Sequence, residues 1–297
     1  MAQTECLNCK FSEHEVKYKG PIRAGTWGHQ TSEDQQVLAC KRCGLARLEH
    51  FPDQKKFYSS AEYRNAYNGS VQVQDYFKLH DHEQSPRIAN IGVEKFRGAR
   101  VLDYGCGGGA FLDLVKGVAQ ETFGIEPCLE FHESLGKRGH QIFESAQDAL
   151  SRVDGSMDVV LSFGVIEHVV DPLEYLQNIK RLLKPGRSAY LETDNLNEIL
   201  MNLEVREFEP FFYRTAHLWY FTAETLKSLC ERAGLEVRHI GFRHTYDLSN
   251  AMVWMRDRRP TGLNKLGLFD DSMNAMWRSS LEARGLADLI FFEVGKG

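Results

Sequence analysis

The chain has 297 residues, a formal net charge of −5, and 26% charged and 42% hydrophobic residues. That length holds one large domain and a small one with a sizeable core, and an acidic chain whose Lys and Arg are scattered is a poor match for a nucleic-acid backbone. The longest apolar runs, such as 158–163 and 289–292, break off after a few residues, far short of the about 20 that span a bilayer, and the start Met1–Cys6 has no apolar signal region, so a cytoplasmic protein without a membrane span is expected.

The first element is Cys6-Leu-Asn-Cys9, followed thirty residues on by Cys40-Lys-Arg-Cys43-Gly44. Seven cysteines in a chain of this kind are ordinarily reduced, so paired spacing points to metal before disulfide. Two C-x-x-C knuckles supply four thiolates, the tetrahedral set of a structural zinc, and a closed four-Cys site leaves no position open for chemistry. A β-hairpin fills the interval. Residues 1–48 are read as this zinc-binding module.

Residues 49–90 turn polar, with spaced aromatics and no clear periodicity. They read as a connector that folds over a pocket, with Tyr63, Tyr67 and Tyr76 as substrate-side candidates; the alternative is aromatics that pack a linker onto its domain. From 91 to 297, strands and helices alternate as in a doubly wound α/β sheet. The first strand is expected over 100–103, then strands over 121–126, 139–143, 157–163 and 188–193, with a helix over 172–183. A helix capped by Thr222, a sixth strand over 235–240 and a last one over 289–294 complete the pattern.

Within that domain the stretch 101–111 reads as strand end, glycine turn and first helical turn. Gly105-x-Gly107-x-x-Ala110 also fits a dinucleotide fingerprint, with Glu126 about twenty residues further on to hold a ribose. Asp103 separates the possibilities. A carboxylate two positions before the first glycine suits a cationic or amino-bearing ligand and repels a pyrophosphate. At the end of the fourth strand, Phe163 is followed by Glu167 and His168 on the sheet's ligand-binding edge. A histidine there is a candidate general base. Asp194 follows the fifth strand on the same edge, and His217 and Trp219 form a second aromatic and basic group, a lid or a packed cluster.

Asp103-x-Gly105-x-Gly107-x-Gly109 resembles the first motif of the class I S-adenosylmethionine-dependent methyltransferases, and the block from Asp158 to Pro172 is a second likeness. The resemblance implies a seven-stranded Rossmann-like sheet whose last strand inserts antiparallel between its neighbours. It implies a cofactor site formed by Asp103, Gly105, Gly107, Gly109, Glu126, Asp148 and Phe163, with Asp148 near the adenine. It also implies catalysis by His168 and Glu167, or by His217. With the four-cysteine module, the arrangement is similar to bacterial deoxysugar methyltransferases, although those carry a further C-terminal domain of a hundred or more residues. The acceptor expected is a sugar or nucleotide sugar, methylated on a hydroxyl or on a carbon beside a keto group. Two other readings are a zinc-ribbon ribosomal-RNA methyltransferase and a non-catalytic scaffold.

Overall fold

Between the cysteine pairs the chain folds back on itself. In the computed structural model, which describes residues 5–26, 28–51, 72–261 and 266–297, β1 (His14–Gly20) pairs antiparallel with β2 (Gln35–Cys40), placing His14 opposite Cys40. β3 (Ala46–Leu48) continues the sheet, antiparallel to β2, with all three of its residues buried. The expected hairpin between the knuckles is therefore present.

The second half of the expected connector is a helix, α1 (Val73–Ile91). Only Gln84 and Ile91 are buried along it and Pro86 lies inside it, so neither an apolar stripe nor an unbroken run of good helix formers announces it. Tyr63 and Tyr67 lie outside the described residues.

Beyond α1 the apolar runs become strands. β4 (Arg100–Tyr104) pairs parallel with β5 (Glu121–Ile125), and β5 with β6 (Gln141–Phe143). On its other side β4 pairs parallel with β7 (Met157–Phe163), Val101 opposite Val159. Val101, Leu102, Phe123, Val160 and Leu161 are wholly buried, as expected of strands covered on both faces. The intervening helices α2 (Ala110–Val115), α3 (His132–Lys137), α4 (Ala146–Val153) and α5 (Pro172–Leu182) supply the cover. α5 shows how sequence sets such a helix. Asp171 caps it by accepting from the Leu173 and Glu174 amides, Pro172 occupies its first turn, and Leu176, Ile179 and Leu182 line its buried face. Each fully buried side chain of that kind contributes about 1.5–3 kcal/mol relative to exposure.

β8 (Leu183–Asp194) follows at once, then the short helices α6 (Ile199–Asn202) and α7 (Glu209–Phe212), β9 (Trp219–Tyr220) and α8 (Ala223–Arg232). β9 pairs with β3, so the N-terminal sheet has the order β1-β2-β3-β9. β10 (Glu236–Arg243), α9 (Leu248–Asp257), α10 (Asp271–Ala283) and β11 (Leu289–Gly295) complete the chain. The larger sheet has the order β10-β11-β8-β7-β4-β5-β6. β11 thus enters between β10 and β8. Gly186 and Arg187 bond Lys296 while Asn195 bonds Asp288, a falling register that makes β11 antiparallel to β8, as expected of the seventh strand.

Backbone contacts divide the chain into two compact units that do not follow chain order. One comprises Met1–Phe51, Glu192–Ser228 and His239–Phe291; the other comprises Pro52–Leu191, Leu229–Arg238 and Phe292–Gly297. The first has a core in which Ile22, Val37 and Leu48 meet Phe208, Tyr213 and Trp254. In the second, Cys106, Leu112, Phe131 and Leu135 pack together with Tyr76 against them. Among the described residues, no helix is long and apolar enough to cross a membrane.

Candidate active site

In the second unit, β4 ends and the chain turns through three left-handed glycines, Gly105 (φ 86°), Gly107 (φ 53°) and Gly109 (φ 85°). Side chains other than glycine disfavour that region, and space is also lacking. A Cβ on Gly105 would run into Val165, and one on Gly107 would lie 2.5 Å from the Tyr76 hydroxyl oxygen. The amides of Gly105 and Cys106 donate to the Ile125 carbonyl at 2.8 and 3.2 Å, fixing the turn to the end of β5. Buried Glu126 accepts from the Gly107 amide (2.8 Å) through one oxygen and from the Cys128 amide (2.9 Å) through the other. The structure therefore brings Gly105, Gly107, Gly109 and Glu126 together, with Asp103 at the end of β4 beside them.

Asp103 is 5% exposed, and burial pushes its carboxyl up to about 7; the Arg87 charge pulls it down and that of Glu126 adds to the rise. A group poised there gives up its proton when a cation arrives. Arg87, on α1, was not anticipated from the sequence. Its guanidinium lies 4.7 Å over the Phe163 ring, and its Nη1 is 3.0 Å from Glu83 Oε2. Burial works against an ionised Glu83, but the His80 hydrogen bond at 3.3 Å and the Arg87 charge outweigh it and hold the group at about 2.

Tyr76 is found over the glycine turn, its ring 4.4 Å from that of His80 and 5.5 Å from that of Phe131. Phe163 is half-buried, 5.3 Å from Phe111. Asp148 sits in the first turn of α4, where its amide donates to the Ser145 hydroxyl and its carboxylate lies 3.1 Å from Arg152. After β7 a 3-10 turn, Ile166–His168, presents Glu167 and His168. Glu167 is buried, and the His168 Nε2 is 4.0 Å from its Oε1, an ion-pair distance too long for a hydrogen bond.

The first unit holds the other candidates. Asp194 ends β8 with the Arg214 Nη2 at 2.5 Å and the His217 Nδ1 at 3.4 Å. Burial pushes the Asp194 carboxyl up while Arg214 pulls it down. His217 is buried, and Trp219 pairs with Arg47 in the four-stranded sheet with its ring edge-on to Phe51 at 5.6 Å.

The four cysteines of the knuckles also converge. Their Sγ atoms all lie within 4.8 Å of one another, with Cys6 to Cys43 at 3.6 Å and Cys9 to Cys40 at 3.4 Å. Four thiolates at a tetrahedral zinc, about 2.3 Å away, stand about 3.8 Å apart, so the set fits that ion. The two knuckles repeat one local design. The Lys10 amide donates to the Cys6 carbonyl and the Gly44 amide to the Cys40 carbonyl, at 2.9 and 2.8 Å, and both Lys10 (φ 61°) and Gly44 (φ 77°) are left-handed.

A glycine turn between two buried carboxylates is shared by several nucleotide-binding sites, and comparison with known proteins separates them. A family model described as a methyltransferase domain matches residues 76–240, more than half of the chain. The chain belongs to this family. The match begins at Tyr76 and runs through the glycine turn, Glu126 and the Glu167–His168 turn, so this methyltransferase domain includes every residue of the second-unit site. The chain is 31% identical over 159 residues to a ubiquinone biosynthesis O-methyltransferase of Ruegeria pomeroyi, covering 50% of this chain and 64% of that protein. It is 28% identical over 158 residues to the mitochondrial ubiquinone biosynthesis O-methyltransferase of Homo sapiens, covering 48% and 43%. The chain thus spans less than two thirds of the length of these relatives. A chain in the complex between the Haloferax volcanii Trm112 methyltransferase activator and a methyltransferase matches with a TM-score of 0.52 at 16% identity, covering 82% of this chain and 97% of that one, and so shares the fold. The likeness expected from the sequence holds at the level of class I methyltransferases, while these relatives carry quinone rather than sugar names.

Proposed function

We propose that the protein transfers a methyl group from S-adenosylmethionine to a hydroxyl of a small polar acceptor, of the sugar or nucleotide-sugar class. The observation that carries the transfer is the glycine turn held between Asp103 and Glu126. Asp103 offers a carboxylate to the amino end of the cofactor, and Glu126 faces its ribose. Asp148 and Phe163 are assigned to the adenine side, and Tyr76 and Arg87 close the turn from α1. When bound, the cofactor supplies an electrophilic methyl group on a sulfonium.

The protein must then align a nucleophile and accept one proton. His168 is assigned as the base that takes the hydroxyl proton, with Glu167 stabilising the imidazolium; His217 is the second candidate. Tyr63, Tyr67, Asp194 and Trp219 are the acceptor-side candidates. Cys6, Cys9, Cys40 and Cys43 hold a structural zinc. The oxygen acceptor draws support from the relatives' names, and the sugar class from the four-cysteine module.

The test is mass spectrometry of reactions with S-adenosylmethionine and a panel of sugars and nucleotide sugars. His168→Ala should keep S-adenosylhomocysteine binding near normal and remove turnover, and retained turnover would move the base to His217. The relatives favour a second reading, a phenolic hydroxyl of a quinol precursor. Demethylated quinols in the same panel separate the two, because methylation of quinols but no sugar would select the phenol.

A further inference from the structure

We propose that a partly open cavity within the first unit is a binding site for an uncharged, polyhydroxylated ring of monosaccharide size. Its volume is about 420 Å³, inside the ~300–1,000 Å³ range of small-molecule sites. Its walls come from segments far apart in sequence, and the charged ones are Arg23, Asp194, Glu198, Arg214 and Asp288. Phe211, Trp254 and Tyr246 supply aromatic surface.

Charge balance selects the ligand. Arg214 stands 2.5 Å from Asp194, the Arg23 guanidinium lies 4.5 Å over the Phe211 ring, and Asp288 accepts from the Thr245 amide with His244 at 3.1 Å. Glu198 accepts from the amides of Leu200 and Met201, and burial, reinforced by Asp288, pushes it up to about 8, so near neutrality it is an uncharged acid. Beside it the wall carries two guanidiniums, Arg23 and Arg214, and the carboxyls of Asp194 and Asp288. A diphosphate would meet the aspartates, and an ammonium would meet the guanidiniums. An isoprenoid chain would strip water from all of them, at about several kcal/mol per ion.

A ring of hydroxyls has none of these mismatches. Each hydroxyl donates to a carboxylate and accepts from a guanidinium, and the C–H face of the ring suits the aromatic walls. The inference agrees in kind with the acceptor class proposed above, but it concerns binding and can be read without turnover.

Saturation-transfer NMR of the full chain with methyl glucoside, methyl mannoside and methyl rhamnoside at millimolar concentration tests it. At least one glycoside should receive saturation, and Arg214→Met or Asp288→Asn should weaken its binding at least tenfold while S-adenosylhomocysteine still binds. Arg23→Gln serves if either variant fails to bind S-adenosylhomocysteine through misfolding. The proposal is overturned if no glycoside binds to wild type, if binding survives the variants, or if uridine diphosphate or a geranylated phenol is what these variants release. Glycoside binding with no S-adenosylhomocysteine binding would instead sink the methyl-transfer reading and leave this one standing.

Discussion

Asp103 shows how far a single side chain can be read and where reading stops. Its place before the glycines was legible, since strand, turn and next strand end lie within about twenty-five residues and their order fixes their geometry. Its titration was not, because burial and Arg87 come from the folded chain. With its carboxyl raised to about 7 from an unfolded value near ~3.9, Asp103 favours the folded state below the unfolded value, and that stability is lost as pH rises from about 4 to 7. Asp103→Asn should therefore gain melting temperature over wild type at pH 8 but not at pH 4. A cationic cofactor selects the ionised form, so its affinity should rise about tenfold between pH 6 and pH 8 and lose that dependence in Asp103→Asn; calorimetry at the two pH values decides. Tyr76 offers a second check. A Cβ on Gly108 would lie 2.6 Å from Tyr76 Cδ1, so Gly108→Ala should cost about 1–3 kcal/mol. Tyr76→Ala in the same chain should recover most of that loss if the ring stands over the turn. The sequence expected the connector to fold over a pocket with Tyr76 among its candidates, but α1 carries no periodic stripe to say which way the ring faces.

At the level of elements, those with strong local signals matched expectation and those closed by distant partners shifted. α5 ends one residue before the expected Leu183, and Asp171 caps it ahead of Pro172; Asp171→Ala should lower stability by about 1 kcal/mol in denaturant titration. β8 begins five residues before the expected 188 and takes in Lys184-Pro185-Gly186. The reason is Lys296, which takes the Gly186 amide and gives its own to the Arg187 carbonyl, a partner about 110 residues away that no local pattern reveals. The knuckles were legible because C-x-x-C is itself local. Cys6→Ser or Cys40→Ser should each reduce bound zinc from one per chain toward none by elemental analysis. Undiminished zinc would reject the four-thiolate site.

Across the whole molecule, compactness does not follow chain order, since each compact unit gathers three separated segments that no local pattern joins. The N-terminal sheet depends on β9, and the cavity of the first unit depends on residues from Arg23 to Asp288. With zinc at the proposed four-thiolate site, a strong chelator should accordingly raise amide exchange in β2, β3 and β9 together while β4, β5 and β7 stay protected. A uniform rise would show that the ion holds more than its own sheet.

The pairing of β3 with β9 also sets a timetable. β3 ends at Leu48 and its partner begins at Trp219, so at about 5–20 residues per second β9 leaves the ribosome roughly ten to thirty seconds after β3. For that interval β3 is a bare sheet edge, open to pairing with any other nascent strand. Both cysteine pairs have been made by then. A zinc held by the proposed four-thiolate site would clamp the hairpin in its final register before the strand that will shield it exists, so metal starvation during synthesis should lower the yield of folded protein more than metal removal from the finished chain.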